Sequence, residues 1–352
     1  MQKRAIRNIL VTGGSGFIGS AFIRYILQKV PSFDGICVNL DLLTYAGNAA
    51  NLESISQDRR YLFQQGDICN QALIEHLCFE HQIDTIIHFA AESHVDRSIQ
   101  APQEFLQTNI MGTFHLLEAV RKFPHIHFHH VSTDEVYGCL GETGYFTEET
   151  AYHPNSPYSA SKAASDHFVR AYATTYKLST CVSNCSNNYG PYQFPEKLIP
   201  LMINHCVMRK PLPVYGEGKN VRDWLYVDDH AKALWMLLER GKRGETYNIG
   251  GEAERRNIEI VHEIIHALAK LKQEDPQKLL SLITYVTDRP GHDFRYAIDC
   301  SKIKRDIGWV PDHSFAEGLK ATVGWYLDNS KWLDDIKTGA YQLPSFSVPR
   351  PM

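Results

Sequence analysis

The chain of 352 residues carries 36 Lys and Arg against 40 Asp and Glu, a formal charge of −4, with 43% hydrophobic and 22% charged residues. Such a composition can bury a large core and excludes a disordered or fibrous chain. The slightly acidic balance argues against a broad face for nucleic acid, and no run approaches the roughly 18 apolar residues of a membrane helix, so neither partner is expected.

Basic residues near the start (Lys3, Arg4, Arg7) lead into a short apolar stretch at 9–11 that glycines interrupt, unlike a secretory signal. Eight scattered cysteines with no CxxC pair read as reduced thiols, so a cytoplasmic location is the expectation. Residues 8–12 read as a buried strand, followed by a glycine turn and a helix over 17–30. Further strands are expected at 36–40, 61–65, 85–90 and 126–132, with helices over 71–81 and 105–122 between them. A helix begins near Tyr158 and a strand near 179–183. Strands separated by helices imply parallel pairing with right-handed crossovers, hence an α/β, doubly wound (Rossmann) sheet. After about Asn187 prolines cluster and regular alternation stops; helices over 258–271 and 318–327 are expected in a smaller C-terminal α/β lobe.

The first strand runs into Gly13-Gly14-Ser15-Gly16-Phe17-Ile18-Gly19. Glycines at 13, 16 and 19 allow a tight turn, close approach to a pyrophosphate and close helix packing, and the helix N-terminus faces the phosphates. Asp41, at the end of the second strand, can accept hydrogen bonds from ribose hydroxyls and repels a 2′-phosphate. Leu42, Leu43 and Thr44 follow with no basic residue to receive that phosphate, so NAD is expected over NADP. Asp67-Ile68, after the third strand, is placed to meet the adenine.

Tyr158 and Lys162 stand at i and i+4 on one helical face. A neighbouring ammonium lowers a phenol pKa, which would let the phenolate take a proton from an alcohol as hydride leaves. Ser132-Thr133 closes the fifth strand at the carboxyl edge of the sheet, completing a Ser/Thr–Tyr–Lys arrangement. Asp134-Glu135 adds a second proton-transfer pair, suited to removing a proton alpha to a carbonyl and protonating a leaving hydroxyl. The run His125-Ile126-His127-Phe128-His129-His130 alternates faces on a strand and has no Asp, Glu or Cys at ligand spacing. No metal is expected there; His127 and His129 are expected to cap or line the sheet surface.

The segments GGSGFIG, DLLTYAGN, AAESHVDRSI, STDEVYG, YSASK, CSNNYGPYQFPEKLIP, VRDWLYVDDHA, YNIGG and DRPGHDFRYAID, spread over about residues 8–341, together resemble the dTDP-glucose 4,6-dehydratases of the extended short-chain dehydrogenase/reductase family. The resemblance implies a lyase with tightly bound NAD that is reduced and reoxidised within one turnover, acting on dTDP-glucose, in a homodimer. Two helical stretches, 105–122 and 157–176, could pack across the dimer axis. It assigns Thr133 to the hexose, Asp134 as acid, Glu135 as base, and Tyr158 with Lys162 to the oxidation. Phe17, Ile18, Asp41 to Thr44, Asp67, Ile68, Phe89, Ala90, Ala91, Ser93, Thr108 and Asn188 match cofactor contacts. Ser93, Asn187, Lys197, Leu198, Pro213, Val214, Tyr215, Arg222, Asn257, Asp288, Arg289 and His292 match nucleotide-sugar contacts. The implied division is 1–187 for an NAD-binding domain, with later segments returning to it, and 188–352 mainly for the nucleotide-sugar lobe. Two positions depart from the family pattern: Leu42, where Lys is frequent, and Phe294, where Arg is frequent. The rival readings are a 4,6-dehydratase of UDP-glucose or a related nucleotide sugar, a nucleotide-sugar 4-epimerase, and a silent NAD-binding scaffold.

Overall fold

The computed structural model describes residues 3–288 and 291–342. Among the described residues there are twelve strands: β1 (Ile9–Thr12), β2 (Cys37–Asp41), β3 (Tyr61–Gln65), β4 (Thr85–His88), β5 (His127–Thr133), β6 (Ser179–Cys185), β7 (Asn187–Tyr189), β8 (Leu212–Tyr215), β9 (Val221–Tyr226), β10 (Thr246–Ile249), β11 (Glu254–Arg256) and β12 (Ile283–Val286). Seven form the central sheet in the order β10-β6-β5-β4-β1-β2-β3, and all its pairings are parallel. The chain reverses its winding between β1 and β4, and in such sheets a cleft opens at the carboxyl ends beside that switch point. Thr12 pairs with His88 there.

Strands β1, β2, β4, β5 and β6 are buried along their whole length, as expected of a parallel sheet covered on both faces. One core packs the helix Phe17–Lys29 and the later helix Val227–Arg240 on one face. A second packs Gln71–Glu80 and Thr113–Lys122 on the other. Complete burial of a side chain such as Phe22 contributes about 1.5–3 kcal/mol. The strand β10 and the helix Val227–Arg240 thus return from the second half of the chain to the first sheet. A third core, with Leu198–Met208, Asn257–Lys272 and Phe315–Asp328, organises the remainder around the small sheets β11-β9-β7 and β12-β8.

Element types match the sequence expectations, with informative shifts at the ends. β4 stops at His88 because Phe89 N already bonds to Thr12 O and the chain turns along the cleft. β5 runs one residue further, so Thr133 is its last residue and Asp134–Tyr137 form a 3-10 turn. The stretch expected as one helix over 105–122 is broken: Leu106–Gly112 is a π-helical segment ahead of Thr113–Lys122. Tertiary bonds hold the wider turn, since Asn109 Nδ2 donates to Ser161 Oγ at 2.8 Å and to Glu92 O at 3.0 Å. The helix Pro157–Tyr176 starts where sequence reasoning put it, with Ser156 and Ser159 forming a capping box and Pro157 at the first position.

Candidate active site

A cavity of about 320 Å³ lies at the carboxyl edge of the sheet. Its floor is the glycine turn. Gly13 has φ +71°, and a Cβ there would fall 2.5 Å from Ala90 N; a Cβ on Gly19 would meet Gly13 O at 2.3 Å. Gly16 is less constrained, its nearest neighbour being Gly13 O at 3.3 Å. Gly14, which sequence reasoning left without a role, is as tightly held: its Cβ would strike Asn39 Oδ1 at 2.3 Å.

Asp41 closes one end. It is buried, and its carboxylate accepts Ser15 N at 2.9 Å and Leu43 N at 2.8 Å. Burial pushes its pKa up and those two N–H groups oppose the shift. A Cβ on Gly47 would come within 2.9 Å of Asp41 Oδ1, so the glycine preserves room beside the carboxylate. That space, the acceptor oxygens and the bare glycine turn fit a dinucleotide ribose and pyrophosphate. Phe17, Ile18, Leu42, Thr44, Asp67, Ile68, Phe89, Ala90, Ala91, Ser93, Thr108 and Asn188 also line the cavity. Leu43 does not; it takes φ +57° and turns the chain after Asp41.

The other end carries Thr133, Glu135, Tyr158 and Lys162 on the cavity wall. Thr133 Oγ1 accepts Glu135 N at 3.3 Å, lies 3.4 Å from Asp134 Oδ1, and hydrogen-bonds the Tyr158 phenol. Asp134 itself is not on the wall but buried behind it, and its Oδ2 has no hydrogen-bond partner among the described residues. Burial first, then the charges of Glu135 and Asp223, push Asp134 well above the carboxylate range, against the opposing pull of Arg222. The shift favours the protonated form, the state a general acid requires.

One expectation needs correction. Lys162 was expected to lower the Tyr158 pKa, yet the phenol is pushed well above its ordinary value by burial, then by Glu135 and Cys185, with the Thr133 bond opposing. Lys162 Nζ donates to Val131 O at 2.9 Å, and burial outweighs the charges around the phenol.

Of the expected nucleotide-sugar residues, Ser93, Asn187 and Lys197 line the cavity, and Lys197 Nζ donates to Ser93 O at 2.9 Å across it. Leu198, Pro213, Val214, Tyr215, Arg222, Asn257, Asp288 and His292 lie outside its wall. Among them His292 Nδ1 sits 2.6 Å from Asp288 Oδ1, and its ring lies 6.1 Å from that of Tyr215. Arg222 is buried and spends its donors on Val221 O and Asp293 O, with its guanidinium 4.2 Å over the Tyr296 ring. Arg289 lies outside the described residues. Leu42 and Phe294, the two departures, are exposed.

The histidines of β5 do not line the sheet surface but are buried within it. His127 Nδ1 meets Ser179 Oγ and His129 Nε2 meets Ser183 Oγ, both at 2.9 Å, across the β5–β6 pairing. No group of three potential metal ligands occurs among the described residues. Sequence reasoning also missed Gln193, Phe194 and Glu196, which line the cavity from the second half of the chain, and His230, whose Nδ1 lies 2.8 Å from Asn188 Oδ1 and orients that wall residue. The only sequence signal for these was their place inside the quoted segments.

Residues 10–322 match the family model described as GDP-mannose 4,6 dehydratase. The chain is 54% identical over 351 residues to the dTDP-glucose 4,6-dehydratase of Neisseria meningitidis serogroup B, covering 96% of this chain and 98% of that relative. Among solved structures, the dTDP-glucose 4,6-dehydratase of Bacillus anthracis in complex with NAD superposes with a TM-score of 0.86 at 49% identity, covering 94% and 99% of the two chains. That of Streptomyces venezuelae, also with NAD bound, gives 0.88 at 45% identity over 94% and 99%. Full-length identity of this order, on a site that keeps both the Tyr–Lys pair and the Asp–Glu pair, means that the chain belongs to the dTDP-glucose 4,6-dehydratase family of extended short-chain dehydrogenases.

Proposed function

We infer that this chain is a hydro-lyase that converts dTDP-glucose to dTDP-4-keto-6-deoxyglucose with NAD as its resident cofactor. The observation that carries the reading is the end of β5, where Thr133, the buried Asp134 and Glu135 meet Tyr158. An epimerase needs the tyrosine but has no use for the two carboxylic groups. A silent scaffold needs none of them.

The glycine turn would hold the pyrophosphate, Asp41 the adenosine ribose and Asp67-Ile68 the adenine, while Asn188 and Lys162 border the reacting end. When bound, NAD supplies the acceptor for the C4 hydride and returns that hydride at C6. Tyr158 takes the proton of the C4 hydroxyl, with Thr133 hydrogen-bonded to the same hydroxyl. The 4-keto group acidifies the C5–H bond, and Glu135 removes that proton. Asp134 protonates the C6 hydroxyl, which leaves as water, and C5 regains a proton. The reaction is redox-neutral overall. Arg222, Arg289 and His292 are the groups assigned to the diphosphate.

Residues 1–187 are assigned to the cofactor and 188–352 mainly to the nucleotide sugar. A homodimer is the proposed assembly, because exposed Leu106, Met111, Phe168 and Tyr176 lie on the π-helical segment and the helix Pro157–Tyr176. Light scattering at micromolar concentration tests it, and a monomer would count against it. The proposed location is the cytoplasm; no helix among the described residues is long and apolar enough to cross a membrane. The activity is tested by incubating purified protein with dTDP-glucose or UDP-glucose and following 4-keto-6-deoxy product. Product from dTDP-glucose is expected, and a simple C4 epimer would sink the reading.

A further inference from the structure

Lys162 and Asp166 stand one helical turn apart on the helix Pro157–Tyr176, and each is only 4% exposed. Lys162 Nζ lies 3.4 Å from His130 Nε2, and the same ring nitrogen lies 3.1 Å from Asp166 Oδ1. Asp166 Oδ2 accepts Ser132 Oγ at 2.8 Å, Tyr152 OH at 2.9 Å and Asn184 Nδ2 at 3.4 Å. An imidazole thus sits between a buried ammonium and a buried carboxylate.

The titratable groups around this pair come from every element packed on it. Tyr158 is on the same helix, His130 on β5 with the His88 ring 5.2 Å behind it on β4, Cys185 on β6, Tyr152 on the loop before the helix, and Tyr137 on the turn after β5. His88 and His130 are held neutral by burial, and burial pushes the Cys185 thiol up to about 12. Asp134 and Glu135 act on Tyr158. Asp166 is the first of the groups that oppose the loss of charge burial imposes on Lys162. Burial lifts Asp166 itself only to about 6, since Lys162 and the bonds from Ser132, Tyr152 and Asn184 oppose it, so it is ionised at neutral pH. An ammonium removed from water with no counter-charge discharges instead.

We propose that Asp166 is a positioning residue for the oxidation step: its carboxylate, one helical turn along from Lys162 and beside the same His130 ring nitrogen, keeps Lys162 in the ammonium form at the cavity wall. This rests on the assignment of Lys162 to that step. Asp166→Asn is nearly isosteric; the amide oxygen still accepts Ser132 and Tyr152, and the amide nitrogen can donate to His130 Nε2, so the charge alone is lost. The test is the pH profile of turnover of dTDP-glucose by the NAD-loaded chain. In Asp166→Asn the alkaline limb is expected to move down by about one pH unit, a roughly tenfold loss where the parent is still on its plateau. Asp166→Glu keeps the charge and is expected to restore the limb. Tyr152→Phe removes a hydrogen bond from the same carboxylate without removing charge and is expected to leave the limb in place. An unmoved limb in Asp166→Asn, or an equal shift in Tyr152→Phe, would overturn the proposal. Lys162→Met separates the two levels: full activity in that variant would overturn the lysine's assignment, whereas its inactivity beside an unmoved Asp166→Asn profile overturns only the role of Asp166.

Discussion

Asp41 at the end of β2 accepts the backbone N–H of Ser15 in the glycine turn at 2.9 Å, across 26 residues of chain. This bond ties the acidic residue to the glycine turn proposed for the pyrophosphate, so the two ends of an adenosine diphosphate would meet parts of one hydrogen-bonded unit. NAD is therefore expected to bind with a clear preference over NADP in a fluorescence or calorimetric titration. Asp41→Ala is expected to weaken NAD by about tenfold or more, because a hydrogen bond to a charged group contributes about 1.5–3 kcal/mol, and to narrow the gap to NADP. A preference for NADP in the parent chain would refute the assignment.

Gly13→Ala tests the turn itself. The residue sits at φ +71° with Ala90 N 2.5 Å from any added Cβ, so the backbone must shift. A residue forced into such a conformation costs about 1–3 kcal/mol, and the clash adds to it. The expected result is a lower Tm together with loss of NAD during gel filtration. Gly324→Ala, on the helix Phe315–Asp328 with nothing within 4 Å, is the control and is expected to keep both.

Much of this was legible in the chain because the signals were local. A strand, a glycine turn, a helix and an acidic residue after the next strand follow from periodicity and turn chemistry alone. Tyr158 and Lys162 follow from helical spacing. The π-helical turn at Leu106–Gly112 was not legible, because Asn109 is held there by Glu92 and Ser161, partners remote in sequence. The same holds for His230 behind Asn188, and for the raised pKa of Asp134, which depends on burial. Spacing put Lys162 beside Tyr158; it could not say that the ammonium turns toward Val131 O and His130.

The buried histidines make an acid-sensitive fold. Burial holds His129 at about 3 in the native state, with smaller contributions from His130, Arg4 and His230, against 6.5 for the free side chain. A depressed native pKa means that the unfolded chain binds the proton first, so its contribution to stability is complete above about 6.5 and is lost as pH falls. His129→Gln, which can still reach Ser183, removes this one titration. The parent's stability relative to that variant is expected to fall by about 1.4 kcal/mol per pH unit between roughly pH 6 and 4 in urea denaturation. A difference independent of pH would show that His129 is protonated in the folded state.

The dehydratase assignment turns on Glu135, and its replacement by Gln separates dehydration from oxidation. Glu135→Gln cannot take the C5 proton, while Tyr158 and Lys162 remain in place for the first hydride transfer. General acid–base groups contribute about 10²–10⁴-fold, so the loss of 6-deoxy product should be large. Mixing NAD-loaded Glu135→Gln with dTDP-glucose is expected to build up the absorbance band of enzyme-bound NADH, whereas Tyr158→Phe under the same conditions should show none. If Glu135→Gln instead formed 4-keto-6-deoxy product at nearly the parent rate and accumulated no NADH, Glu135 would not be the base, and the reason for preferring a dehydratase to an epimerase would be gone.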